Sequence, residues 1–474
     1  MKLKTILISV ILLALAGTNT IAQSKPVLKP RIIVLTDLKR VHETDDLQSI
    51  IRLLSVADLL EIEGIIISSG YNYFHPSHFA EGYELIWEIL DAYEKSVPNL
   101  MKMNEQKSFR LFETEQEIGY WPSACYLRRH TAAGTPNVGM HEVGNNKATE
   151  GSNLIINAVD EPDPRPVYVL VWGGANVLAQ ALWDISENPD RKRSPEAVKN
   201  FISKIRVVAV GDQDKSWNKR KEKNDLSNSH YWMRKTFPNM FWLMTSPGEF
   251  TKISNTMQPF YQMHIQGHGA LGDMYPDHSN SVEGDSPALF YILPMDFNDP
   301  EKPGWGSMAG IFEYRKYAME EGTMFWQLNH SGFDTLKNAS LELTRLFTQP
   351  MWNMFAARMD WARSSTGNRP PVIVLNGDQN HGILHIDATA GNELLLDASD
   401  TYDREQDKLG FNWSLLMIPD NYTKDITMMP DNRKLRVLLP KDAKNKQVHI
   451  LLQVSDDGAG HHLNAYKRII INVN

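Results

Sequence analysis

Short runs of consecutive apolar residues limit the fold of this chain more than any other feature. Residues 32–35 read IIVL, and a second apolar run follows at residues 64–67. A continuous apolar run is typical of a strand that is buried on both faces, as in a parallel sheet. Between the two runs, apolar residues recur at helical spacing, namely at Leu47, Ile50, Ile51 and Leu54. Strand, helix and strand in this order predict a βαβ unit.

The same alternation continues along the first three quarters of the chain. Further apolar runs lie at residues 167–171, 207–210 and 241–244, and a helical pattern covers residues 176–183. Strands that alternate with helices predict an α/β domain with an open, mostly parallel sheet.

The pattern changes after residue 367, where the segment NRPP begins a plausible linker. Beyond it, strand-like alternation replaces helical spacing. Residues 448–454 and 469–473 each place apolar side chains at every second position. Several short strands with regular turns in about 100 residues suggest a small Ig-like β-sandwich. We therefore predict an α/β domain over residues 23–367 and a sandwich over residues 368–474.

The N-terminal segment has the pattern of a secretory signal peptide. Lys2 and Lys4 precede an apolar stretch at residues 6–16, and small or polar residues lead to Ala22. This order predicts cleavage after residue 22 and export to the periplasm or the extracellular space, with no membrane insertion afterwards. The chain has one cysteine, Cys125, so neither a disulfide framework nor a multi-cysteine zinc site is possible.

The charge of the chain argues against one class of partner. The formal net charge is -8 over 474 residues. No global positive field is available to attract a nucleic acid polymer. A nucleic acid polymer is therefore not expected as a partner.

Acidic residues follow the first predicted strand. Asp37 comes directly after it, and Asp45 and Asp46 stand where the next helix is expected to begin. In an open parallel sheet, binding sites form at the carboxyl ends of strands. Three carboxylates that converge there need a counter-charge, which a hard cation with oxygen ligands supplies. Either Ca²⁺ or Mg²⁺ would fit this description. The alternative is that Asp45 caps the helix within a solvated loop.

Here the sequence resembles a known family. The segment IIVLTD, the later TDD and the segment EIEGIIISSG are similar to the opening of the nucleoside hydrolases. The resemblance is stronger to the secreted bacterial nucleoside-hydrolase-like family that is often labelled cellulose-binding protein. Four further stretches carry that resemblance, and it extends over the whole mature chain. They are VLVWGGANVLAQALW (169–183), VEGDSPALF (282–290), FAARMDW (355–361) and RPPVIVLNGD (369–378).

The resemblance implies a role for particular residues. It implies that Asp37, Asp46, Asp285 and the backbone carbonyl of about Trp172 hold Ca²⁺. It also implies that Asp45 contacts sugar hydroxyls. The turn that contains Asn176 corresponds to a ligand-binding segment of the family.

Three further residues complete the predicted site. Tyr71 and Asn72 follow the second strand, where the family has an asparagine, and Glu283 lies beside Asp285. All three are expected to contact the substrate. The sequence also departs from the nucleoside hydrolases, because Leu35 stands where they have their first aspartate and the loop after Asp37 is longer.

The chemistry expected of such a site is cleavage of an N- or O-glycosidic bond in a nucleoside or a carbohydrate. Asp37 is the predicted acceptor of the proton from the attacking water, and Asp45 is the second predicted catalytic residue. One alternative is a protein that binds a cellulose-like polysaccharide without catalysis. Another is Mg²⁺-dependent phosphoryl transfer, which lacks a phosphate loop here.

Two other groups of residues are candidates for the site. Asp212 and Asp214 follow the strand at residues 207–210 and are expected at the same sheet edge as Asp37. His264 and His268 have a spacing that can bind zinc on a helix, but Gly267 and Gly269 favour unrelated loop histidines.

Overall fold

A computed structural model of the chain describes residues 27–71, 76–214, 225–278, 281–328, 334–419 and 421–474. The predicted signal peptide lies outside the described residues, as does Asn72. No helix in these ranges is long and apolar enough to cross a membrane.

The larger part of the molecule is built on an eight-stranded sheet with the order β3-β2-β1-β4-β5-β6-β8-β7. Its strands pair in parallel except for β7, which is antiparallel to β8. The bounds of the strands are β1 (Arg31–Thr36), β2 (Glu61–Ile67), β3 (Thr131–Ala133), β4 (Val167–Val171), β5 (Ile205–Val210), β6 (Phe241–Thr245), β7 (Phe312–Lys316) and β8 (Met324–Leu328).

Helices cover both faces of this sheet. Their bounds are α1 (Asp45–Ser55), α2 (Pro76–Met103), α3 (Ala124–Arg129), α4 (Glu150–Asp160), α5 (Ala175–Ser186), α6 (Pro195–Ser203), α7 (Ser229–Thr236), α8 (Gly248–Ser254), α9 (Gln258–His264), α10 (Gly269–Asp273), α11 (Ser286–Ile292) and α12 (Asp334–Ser364).

Strand β1 shows why its sequence is apolar at every position. Ile32 and Val34 belong to the hydrophobic cluster that also holds residues of α1, α2 and α12. Ile33 and Leu35 belong to the cluster on the opposite face, with α4 and α5. Successive side chains of a strand point to opposite faces, so a strand covered on both sides needs an unbroken apolar run. The predicted open parallel sheet is confirmed.

The C-terminal part contains a three-stranded sheet, β10-β13-β12, and a four-stranded sheet, β11-β14-β15-β9. An apolar cluster lies between the two sheets and includes Leu435 and Val437 from one and Ile450 and Ile471 from the other. This arrangement is the predicted β-sandwich. The strand bounds are β9 (Leu384–Ala388), β10 (Glu393–Asp397), β11 (Gly410–Leu415), β12 (Thr427–Asp431), β13 (Lys434–Leu438), β14 (Lys446–Ser455) and β15 (Asn464–Val473).

The outer face of the four-stranded sheet packs against the α/β part. Tyr466 of β15 lies with its ring centroid 4.9 Å from that of Phe347 in α12. The Arg468 guanidinium is fully buried and donates to the backbone oxygen of Trp305 at 2.7 Å. The predicted boundary at residues 367 and 368 falls between α12 and β9, and it stays a prediction.

A buried histidine at this junction makes the stability of the fold depend on pH. His449 is fully buried, its ring lies 4.9 Å from that of Trp305, and neither ring nitrogen has a hydrogen-bond partner among the described residues. Burial, with the nearby Arg468 charge, lowers the pKa of His449 to about 4. The unfolded chain therefore takes up a proton near pH 6.5 that the folded chain refuses. Stability from this group is full above pH 6.5 and falls as the pH drops toward 4.

We expect His449→Leu to remove this dependence. The free energy of unfolding of the wild type, measured by denaturant titration between pH 4.5 and 6, should fall with decreasing pH more steeply than that of the variant. The difference in slope should be about 1.4 kcal/mol per pH unit, which corresponds to one proton. Equal slopes for the two proteins would contradict the assignment.

Candidate functional site

Three aspartates from two distant parts of the sequence meet at the carboxyl edge of the main sheet. Asp45 and Asp46 form the first turn of α1, and Asp285 stands directly before α11. Oxygen atoms from the three carboxylates all lie within 4.8 Å of one another. Asp46 and Asp285 are buried, whereas Asp45 is partly exposed. We call these three residues the aspartate cluster.

The aspartate cluster holds its negative charge at a cost. Burial, together with repulsion from Glu43, raises the pKa of Asp45 to about 7. Burial and the neighbouring carboxylates also raise the pKa of Asp46 and of Asp285 well above the usual range. Such shifts mean that the cation-free cluster disfavours its fully charged form.

Few hydrogen bonds offset that charge. Asp46 accepts a hydrogen bond from the Thr36 hydroxyl, and one oxygen of Asp45 accepts one from the Ser281 hydroxyl at 3.0 Å. The other oxygen of Asp45, Oδ1, is buried and has no partner in the part of the chain that the structure describes. Among the described residues, none donates a hydrogen bond to the Asp285 carboxylate, whereas its backbone oxygen accepts one from the Ala288 N–H at 3.0 Å.

Glycines let the backbone approach these acids closely. A Cβ atom on Gly173 would lie 2.7 Å from the backbone nitrogen of Asp37, and one on Gly70 would lie 2.7 Å from the Asp37 Cγ. A Cβ on Gly284 would collide with the Asp45 carboxylate. Real Cβ atoms do not approach other atoms so closely. A larger residue at any of these positions would displace the neighbouring aspartate, so the observed geometry requires glycine.

Asp37 lies next to the aspartate cluster but is not part of it. It follows β1 directly and is 5% exposed. Its Oδ2 atom is 2.7 Å from the Lys39 ammonium, which also lies 3.0 Å from Glu43 Oε2. The acidic loop thus carries its own cation beside Asp37.

A buried ion pair holds the segment that contains Asp285 in place. Glu283 is fully buried and binds Arg52 of α1 through both of its oxygens. It also accepts hydrogen bonds from the hydroxyls of Tyr275 and Ser286. Its backbone N–H donates to Gln48 of α1 at 2.9 Å. These contacts fasten the segment before α11 to α1, and so bring Asp285 to Asp45 and Asp46.

Comparison with known proteins agrees with the geometry. The family described as "Cellulose-binding Sde182, nucleoside hydrolase-like domain" matches residues 31–312, which is more than half of the chain. "Cellulose-binding protein Sde0182, C-terminal domain" matches residues 393–473. The chain belongs to the cellulose-binding Sde182 family. This confirms the resemblance found in the sequence.

One solved structure is similar over almost the whole length of this Sde182-family protein. It is described as a nucleoside hydrolase-related hypothetical protein from Saccharophagus degradans that is associated with carbohydrate metabolism. It is 31% identical, with a TM-score of 0.76, and the match covers 94% of this chain and 100% of that one. Titin domain M7 matches 23% of this chain over 98% of its own length, at 8% identity and with a TM-score of 0.15. No curated protein matches the chain.

The aspartate cluster of the Sde182-family protein fits a hard divalent cation. Its donor atoms are all carboxylate oxygens, which Ca²⁺ and Mg²⁺ prefer. One Asp45 oxygen, Oδ1, is buried and has no hydrogen-bond partner among the residues that the structure describes. Three converging acids with raised pKa values are the arrangement that a cation would relieve. The cluster overlaps the predicted ligand set in Asp46 and Asp285; it also contains Asp45, and Asp37 is paired with Lys39. The predicted ligand set itself stays a prediction.

Other predicted residues lie elsewhere along the same edge. Trp172 follows β4, and its backbone N–H donates to Leu35 O at 2.8 Å; its carbonyl as a ligand stays a prediction. Asn176 is buried and uses its amide to bind Asn137 O at 2.9 Å. The backbone of Tyr71 is bonded to Gln213 O, also at 2.9 Å.

The acids after β5 and the histidine pair each serve local contacts. Asp214 accepts hydrogen bonds from the backbone and the hydroxyl of Ser229 at the start of α7. Asp212 accepts one from Asn228. His268 contacts Asp360 at 2.9 Å rather than sharing a ligand position with His264.

Sequence reasoning missed Lys39 and Arg52. The charge pattern Asp-Leu-Lys-Arg after β1 was a signal for the first, because a lysine between acids can reach either of them. Arg52 stood among the apolar positions of α1, where a charge needs a buried partner.

Proposed function

We propose that this Sde182-family protein is an exported hydrolase that cleaves an N- or O-glycosidic bond of a carbohydrate or a nucleoside at a site dependent on Ca²⁺. The observation that carries the proposal is the convergence of Asp45, Asp46 and Asp285 at the carboxyl edge of a nucleoside hydrolase-like sheet. Export rests on the sequence pattern of residues 1–22 alone.

The residues of the site divide the chemistry between them. Bond cleavage develops positive charge on the sugar carbon, which negative side chains nearby stabilise. A bound divalent cation lowers the pKa of a water molecule and orients it. Asp46 and Asp285 would hold the cation, and Asp45, the partly exposed member, would share it and contact sugar hydroxyls. Asp37 is the proposed acceptor of the water proton.

A second function is supported by a specific observation. The Lys39 ammonium donates a hydrogen bond to Asp37 Oδ2 at 2.7 Å, and this ion pair makes Asp37 a weaker base. The family description names cellulose binding, and the similar protein from Saccharophagus degradans is associated with carbohydrate metabolism. The alternative is therefore a protein that binds a carbohydrate through the same cleft without cleaving it.

Turnover by the wild type and by Asp45→Asn separates these functions. We expect the wild type to hydrolyse a member of a panel of aryl glycosides and nucleosides in the presence of Ca²⁺. Asp45→Asn should lower the rate at least 100-fold, because it removes negative charge beside the reacting carbon. The control is Asp190→Asn, an exposed acid between α5 and α6, which should keep full activity. Absence of turnover together with retention on a cellulose column would establish the binding function instead.

A further inference from the structure

Lys39 is a buried cation inside the acidic cleft. Its side chain is 4% exposed, and its ammonium forms ion pairs with Asp37 at 2.7 Å and with Glu43 at 3.0 Å. A buried ammonium is stable only if its charge is balanced nearby. The two carboxylates supply that balance, so Lys39, Asp37 and Glu43 form one unit with a formal charge of -1.

The position of this unit is fixed by its surroundings. The Asp37 carboxylate is 6% exposed. Gly70 and Gly173 lie so close that a Cβ atom on the first would be 2.7 Å from the Asp37 Cγ and one on the second 2.7 Å from its Oδ1, so the carboxylate has little room to turn. Lys39 follows Asp37 by two residues in the same loop. The position of Lys39 in the chain therefore keeps its ammonium next to the aspartate cluster. Its charge acts on Asp46 as well as on Asp37.

We infer that Lys39 is a built-in counter-cation that withholds Asp37 from the divalent cation and thereby lowers the affinity of the aspartate cluster for it. A cation bound to Asp45, Asp46 and Asp285 is repelled by the nearby ammonium. It also gains no ligand from Asp37 while the ion pair persists. Since the affinity of a Ca²⁺ site depends on the number of charged ligands, removing the ammonium should release a fourth one.

This inference rests on the proposed cation site but not on the proposed hydrolysis. It also specifies the regulation of that site, because Asp37 becomes available for a ligand or for a proton only when Lys39 leaves it. A lysine suits this role, since its ammonium is a compact charge on a flexible stem.

Calcium binding to the full chain by isothermal titration calorimetry tests the inference. We expect Lys39→Met to bind Ca²⁺ at least 10-fold more tightly than the wild type. The matched control is Arg40→Met, which removes one positive charge at the neighbouring position, where the side chain is 45% exposed and pairs with Glu88 at the surface. This control should stay within about twofold of the wild type, because exposed charges are screened.

A second substitution identifies the ligand that is released. Asp37→Asn should change Ca²⁺ affinity less than threefold in the wild type, yet reverse most of the gain in the Lys39→Met background. An unchanged or weaker affinity in Lys39→Met, with wild-type circular dichroism, would overturn the inference. If Lys39→Met fails to fold, a large loss of Ca²⁺ affinity in Asp37→Asn alone overturns it equally.

The outcome is distinguishable from the fate of the proposed hydrolysis. Tighter Ca²⁺ binding by Lys39→Met without turnover of any substrate would keep the inference and remove the enzyme. Turnover by the wild type with the same Ca²⁺ affinity in both proteins would keep the enzyme and remove the inference. If neither protein binds Ca²⁺, the inference is wrong.

Discussion

Arg52→Met is expected to lower the free energy of unfolding by about 3–5 kcal/mol, because it leaves a buried carboxylate without its partner. Arg52 is 1% exposed and Glu283 is fully buried, so water cannot replace the lost charge. Denaturant titration of both proteins at pH 7 measures the difference.

The surroundings of Arg52 leave no route to compensation. Its guanidinium donates to Glu283 Oε1 at 2.9 Å and to the backbone oxygen of Met351 at 3.0 Å. Three aromatic rings enclose it, and those of Trp352 and Phe355 have centroids 4.7 and 4.3 Å away. Cation–π contacts of this kind are strongest when the cation is desolvated. Methionine can fill the space but cannot bind the carboxylate.

Two controls show whether charge or packing causes the loss. Arg436→Met breaks a surface ion pair in which Arg436 is 61% and Glu393 is 42% exposed. It should lower the free energy of unfolding by less than about 1 kcal/mol. The double variant Arg52→Met/Glu283→Gln leaves no unpaired charge, and it should be more stable than Arg52→Met alone. If the double variant were less stable, packing around Arg52 rather than its charge would be the cause.

The fold follows from local sequence patterns to a large degree. The runs at residues 32–35, 167–171 and 207–210 become β1, β4 and β5, because residues buried on both faces must be apolar at every position. The alternation at residues 448–454 becomes part of β14 with one face in the sandwich core. These patterns are periodic and need no knowledge of distant partners.

The candidate site was predictable only where it coincides with such a pattern. Asp45 and Asp46 follow from the position of α1, and the resemblance to the nucleoside hydrolases supplied Asp285. The composition of the aspartate cluster depends on which side chains meet across more than 200 residues of sequence, and no local pattern encodes that. The pairing of Asp37 with Lys39 and of Glu283 with Arg52 is decided by the conformation of loops, on which hydrophobic periodicity has no bearing.

The last prediction concerns two buried aspartates that should respond in opposite ways to the same substitution. The Asp285 carboxylate accepts no hydrogen bond from any described residue, and its neighbours Asp45 and Asp46 repel it. Asp58 is paired with Arg358 at 2.6 Å and accepts a hydrogen bond from Asn104 at 3.1 Å. Replacing each with asparagine removes the charge and keeps the size.

Without a cation, Asp285→Asn should raise the free energy of unfolding, because burial and repulsion from Asp45 and Asp46 disfavour the charged carboxylate. Asp58→Asn should lower it by about 3 kcal/mol, since Arg358 is left buried and unpaired. Thermal unfolding with excess chelator compares the two.

The two variants should also differ in their affinity for Ca²⁺. Asp285→Asn should lose Ca²⁺ affinity at least 100-fold, as measured by calorimetry, because one of three charged ligands is gone, whereas Asp58→Asn should bind as the wild type does. A residue that weakens the fold and strengthens binding is one that the structure keeps for its ligand rather than for its stability. If Asp285→Asn destabilises the cation-free protein, the carboxylate is a structural group. That result would contradict the assignment of the aspartate cluster as a cation site.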